Sequence, residues 1–89
     1  MTDYPEPTAN QAIQAAKQAM RSGQRAEALR QARLACRLAP EREEPWLILS
    51  ALSAPKASVE YLRKALEINP QSQAAQKGMQ WATERLRAS

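Results

Sequence analysis

Apolar residues recur at three- and four-residue steps along most of this chain, and the runs are broken by proline and glycine. That is the pattern of amphipathic helices joined by short turns. Thr8 stands as an N-cap before Ala9, Ala12, Ala15, Ala16 and Ala19, which share one helical face, and Ser22-Gly23-Gln24 closes this first helix. A second helix is expected from about Arg25 to Ala39, with Ala28, Leu29, Ala32, Ala35, Cys36 and Leu38 on its apolar side. Pro40 stops it, because proline has no backbone N–H to give to a helix interior. Glu41 to Pro45 read as a turn and a helix start, since acids and an early proline suit a first turn. Trp46, Leu47, Leu49 and Leu52 carry a short third helix that ends at Ser53-Ala54-Pro55. Pro55 opens a fourth, through Val59, Leu62, Ala65 and Leu66 to about Ile68. Beyond Asn69-Pro70-Gln71 a fifth carries Ala74, Ala75, Gly78, Met79, Trp81, Ala82 and Leu86. No segment alternates as a strand does.

Two stretches restate one phrase. Ala32 to Pro40 and Leu62 to Pro70 each have a basic residue second, an alanine fourth and a closing proline. Self-similarity over a few tens of residues is the mark of a solenoid, in which each helical pair buries its apolar face against the next. A closed bundle has no reason to repeat a helix pair. The expected fold is therefore all-α, a short antiparallel helix-turn-helix superhelix of about five helices, with residues 1–7 as a tail and 8–89 as one domain.

Composition narrows the class of activity. The chain has 89 residues, 44% hydrophobic and 25% charged, as expected of a folded soluble domain. Phenylalanine is absent while alanine recurs, so helix axes must approach closely to fill the core. There is no histidine and a single cysteine, which excludes an internal disulfide, the common zinc-site spacings and relays built on histidine. No cofactor is expected. The amino terminus lacks the basic start and apolar centre of a secretory signal, and no apolar run approaches the roughly 20 residues that span a bilayer. A cytoplasmic location, with no membrane partner, is the expectation. The net charge of +4 raises nucleic acid as a partner, but the basic residues are scattered among acids.

Taken together, these residues resemble the tetratricopeptide repeat family. In the first unit, about 9–42, Ala12, Ala15, Ala16 and Ala19 precede Gly23 in the turn, and Ala28, Ala32, Ala35 and Pro40 follow. The second unit, about 43–70, supplies Trp46, Leu49 and Ser50, then Leu62, Ala65 and Pro70, and a capping helix covers about 71–87. Pro40 and Pro70 are 30 residues apart where the family's period is about 34, so about one helical turn is missing near Ser53 to Pro55. Ser50, Ser53 and Ser58 also replace the glycine, aromatic and alanine of the pattern.

The resemblance implies a non-catalytic protein-interaction module whose first, third and fifth helices line a groove for a peptide or a partner subunit, another copy of the chain included. It places Asn10, Ile13, Lys17, Met20 and Arg21 on that face, with Glu44, Leu47 and Ala51 from the third helix and Ala75, Met79 and Thr83 from the fifth. The expected contact residues are Ile13, Lys17, Met20, Arg21, Leu47, Ala51, Ala75 and Met79. Periodicity fits a core stripe as well as a groove, so both readings stand at this point. Family members that clamp acidic chaperone tails use basic residues and asparagine at positions held here by Ile13, Lys17, Ile48, Ser72 and Gln76, and only Lys17 is basic. Two further readings are a docking domain of a larger enzyme or assembly, and weak nucleic-acid binding through Arg30, Arg33, Arg37 and Arg63. A solvated outer face accounts for those arginines better, because no aromatics are interleaved with them. Trp46 and Trp81 are expected in the core, and Cys36 as a buried small residue rather than a reactive thiol.

Overall fold

The structure, a computed structural model, describes residues 7–88. All but one residue of the expected tail lie outside that range. Five helices follow in order: α1 (Ala9–Arg21), α2 (Arg25–Leu38), α3 (Glu43–Ala51), α4 (Pro55–Ile68) and α5 (Gln73–Ala88). Among the described residues there is no strand, and no helix is long and apolar enough to cross a membrane.

Local chemistry sets each boundary. Thr8 and Gln11 form a reciprocal capping box: the Gln11 N–H donates to Thr8 Oγ1 at 3.1 Å and the Thr8 N–H donates to Gln11 Oε1 at 2.8 Å. At the other end of α1, Gly23 adopts φ +71°, which an L side chain rarely accepts. The Gln24 N–H then reaches Ala19 O at 2.8 Å and the Gly23 N–H reaches Met20 O at 3.1 Å, the double closure of a Schellman motif.

The repeated phrase carries a repeated backbone. Ala39 and Asn69, each before its proline, have φ −145° and −140° with ψ 73° and 90°. Each is followed by a turn closed from the Arg42 N–H to Ala39 O at 3.1 Å and from the Ser72 N–H to Asn69 O at 3.0 Å, with proline at the second position of both. Pro55 occupies the first turn of α4, as expected, and Ser72 caps α5 by accepting from the Ala75 N–H at 3.1 Å.

Consecutive helices pack as antiparallel neighbours, and α3 also touches α1 and α5, while α2 and α4 do not meet. The helices therefore form two layers, α1, α3 and α5 in one and α2 and α4 in the other, within an elongated body of 53 × 27 × 17 Å. The first core is a close-packed alanine layer: Ala12, Ala16 and Ala19 with Ile13 meet Ala28, Ala32, Ala35 and Cys36, and Ile48, Leu49 and Leu52 of α3 complete it. The second is built around Leu62 and Ala65 of α4 with Ala75 and Ala82 of α5. Trp46 packs against both, donates Nε1–H to Pro40 O at 3.1 Å, and meets the Tyr61 ring at 6.3 Å. It joins the cores, as its sequence position led us to expect. Trp81 does not. It is 45% exposed, and the reason lies at the end of α3.

Candidate partner-binding groove

α1 has 13 residues and α3 has nine, whereas α2 and α4 have 14 each. The missing turn is thus taken from the carboxy-terminal end of α3. Its last carbonyls keep only long backbone bonds, with the Leu52 N–H shared by Ile48 O and Leu49 O at 3.2 Å and the Ser53 N–H on Ser50 O at 3.3 Å, and side chains supplement them. Ser53 Oγ donates to Leu49 O at 2.6 Å, Ser58 Oγ of α4 donates to Ser50 O at 3.0 Å, and the Arg25 guanidinium of α2 donates to Leu52 O. Two of the serines that depart from the repeat pattern, Ser53 and Ser58, are therefore caps for a shortened helix.

The same truncation opens a cavity of about 350 Å³ between α3, α4 and α5, at the lower end of the range of small-ligand pockets. Leu47 and Ala51 form the α3 wall and Ala74, Gly78 and Trp81 the α5 wall, with Leu62 and Ser58 of α4 beneath. Gly78 matters to its shape: a Cβ there would lie 3.0 Å from Leu62 Cδ2. The surface is effectively apolar, because both serine hydroxyls are engaged within the fold, Ser58 with Ser50 O and Ser50 with Leu47 O at 2.7 Å.

Between α1 and α3, one carboxylate serves two cations. Lys17 pairs with Glu44, Arg42 lies 3.8 Å from the same carboxylate, and Arg42 also donates to Asn10 Oδ1. At the edge of the cavity, by contrast, the Arg85 guanidinium lies over the Trp81 ring, 5.1 Å from its centroid. At the start of α3 the Asn69 amide donates to Glu43 Oε1 at 2.7 Å, and the nearby Ser72 hydroxyl together with this amide holds the Glu43 carboxyl below the usual 4.5. Among the described residues no three His, Cys, Asp or Glu side chains are grouped so as to hold a metal ion.

The expected contact residues divide three ways. Leu47 and Ala51 do line the cavity. Ile13 and Ala75 are corrected to core residues, 1% and 0% exposed, the first against the alanines of α2 and the second against Leu62 and Ala65. Met79 is half-buried against that same second core, and Thr83 donates its hydroxyl to Met79 O at 2.9 Å. Lys17 is tied to Glu44, while Met20 and Arg21 lie exposed at the far end of α1, Arg21 donating to Gln18 Oε1 at 2.9 Å.

On α5 the error is one of phase. Ala74 and Gly78 face the cavity, each one position (about 100°) from the expected Ala75 and Met79, and Trp81 faces it two positions before Thr83. The interval between Pro40 and Pro70 held the signal, since 30 residues carry Glu44 to Ala74 and Ala51 to Trp81.

The remaining candidates are engaged elsewhere. Of the chaperone-clamp positions, Ile48 is buried, Ser72 caps α5, and Gln76 Nε2–H donates to Pro70 O at 2.9 Å. Arg30 and Arg63 pair with Glu27 and Glu60 on their own helices. Cys36 is buried, and burial pushes its thiol up to about 11, so it stays neutral at ordinary pH. Compared with known proteins, the chain matches no family model, no curated protein and no solved structure.

Proposed function

We propose that this chain is a non-catalytic protein-interaction module of tetratricopeptide-like build, which takes a peptide or a segment of a partner protein between α3 and α5. The observation that carries this reading is the open cavity beside Ala51 and Trp81, whose hydroxyls are all consumed inside the fold. A surface of that kind gains from burying apolar side chains and offers neither a nucleophile with its base nor a polar cluster that could activate a substrate. The paired charges of Lys17 and Glu44 give orientation without adding net attraction.

Ala51 is exposed on the rim, so Ala51→Arg fills the mouth without entering either core. Affinity capture from the host with the wild-type chain and with Ala51→Arg tests the proposal. The partner retained by the first is expected to be lost by the second at unchanged helicity, and an identical captured set would overturn it. Nucleic-acid binding is the weaker reading, since two of its four candidate arginines are already paired to glutamates.

A further inference from the structure

The cavity has a charged edge that its apolar lining does not explain. Arg85 lies one turn beyond Trp81 on the cavity-facing side of α5, and its contact is with the indole ring. Among the described residues it makes no ion pair, and neither do Lys77 and Arg87 on the same helix. The one acid of α5, Glu84, sits about 100° around the helix from Arg85 and is also unpaired. The facing elements contribute no free acid, because α1 has none and Glu44 of α3 is already shared by Lys17 and Arg42. An apolar pocket thus adjoins a guanidinium that lies over an aromatic ring and, among the described residues, has no carboxylate partner.

Resting on the interaction-module reading, we propose that this pocket takes an acidic linear peptide segment. One apolar side chain seats over Leu62 and Gly78, and an adjacent Asp or Glu carboxylate engages Arg85. Contact with Trp81 restricts the guanidinium before binding, so less side-chain freedom is lost when the carboxylate arrives. Lys77, flanking the same wall, adds longer-range attraction for negative charge. The polar outer face of α5, with Gln73, Gln76, Gln80 and Thr83, makes it a capping helix on that side and does not invite a second copy to extend the stack.

Selection of a random peptide library displayed on phage against the whole chain tests this, with synthetic peptides from the enriched pool then titrated by fluorescence anisotropy. The expected consensus is an apolar residue with Asp or Glu within a few positions. Arg85→Gln should weaken those peptides about tenfold, the worth of one hydrogen-bonded charge contact, and added salt should weaken them too. Gly78→Val, which fills the pocket against Leu62, should weaken them regardless of salt. Enriched peptides without acids, or with affinity unchanged by Arg85→Gln, would overturn the acidic-segment proposal while leaving an apolar groove in place. An absence of any enriched peptide that Ala51→Arg excludes would overturn both. Light scattering that finds a dimer dispersed by Trp81→Glu would overturn the proposal in favour of a second copy.

Discussion

The two helical hairpins use the same 14-residue second helix and the same proline turn, yet they close their first helices by different means. α1 runs its full length and ends on Gly23, where the backbone supplies its own donors. α3 stops a turn early, and its long backbone bonds are supplemented by hydroxyls from Ser53 and Ser58 and by the Arg25 guanidinium. Their cores differ correspondingly. Ala32 of α2 and Leu62 of α4 occupy equivalent places in the repeated phrase, both almost fully buried, one in a close-packed alanine layer and the other beneath an open cavity. The comparison teaches that removing one helical turn from a repeat does two things together. It adds side-chain donors to a backbone closure of long bonds, and it leaves a recess where the lost turn would have packed.

The sharpest break of that comparison lies at the equivalent pair. Leu62→Ala is expected to cost about 2–5 kcal/mol, because a core leucine contributes both its transfer energy and the cavity left behind. Ala32→Leu is expected to cost about 1–3 kcal/mol by overpacking the alanine layer. Urea unfolding followed by circular dichroism measures both. If Ala32→Leu were neutral, the first hairpin would have spare space and the contrast between the cores would be lost.

A smaller effect separates the two ways of closing a helix. Gly23→Ala forces a side chain into positive φ and should cost about 1–2 kcal/mol. Ser58→Ala should cost about 1 kcal/mol, since Ser50 O would keep only the Ser53 N–H at 3.3 Å. Amide exchange locates each loss. Ser58→Ala is expected to loosen the last turn of α3 and leave α1 protected, and the reverse is expected for Gly23→Ala. Loosening of both helices by either variant would show that the hairpins do not close independently.

The helices were legible in the sequence because their limits are set locally: Thr8 with Gln11, Gly23, and a proline after each repeated phrase. The shortened interval also pointed to the second hairpin as the irregular one. The site was legible only in part, because its residues take their roles from a neighbouring element. Trp81 has the helical phase of a core residue and is exposed because α3 ends beside it at Ala51. Ser58 looks like a fault in the pattern until it is seen to reinforce the long Ser53 N–H bond to Ser50 O. The phase of α5 is not set by its own apolar positions, which do not say which of them meets α3, and a one-residue shift exchanges Ala75 for Ala74 as the groove residue.

The smallest expected effect concerns Cys36, whose counterpart in the second hairpin is Leu66. Burial raises the Cys36 thiol from its ordinary 9.0 to about 11, which means that the folded chain holds that proton more tightly than the unfolded chain. Between those values the folded state binds more protons, so its stability must fall as pH rises through that window and is fully present below it. At pH near 10 the loss is about 1 kcal/mol. The second hairpin has no such group at the matching place. Cys36→Ala should therefore flatten the alkaline fall in urea midpoint relative to wild type, whereas Leu66→Ala should shift the midpoint at every pH and leave the slope alone. An alkaline slope that survives Cys36→Ala would assign the titration to other groups and remove this distinction between the hairpins.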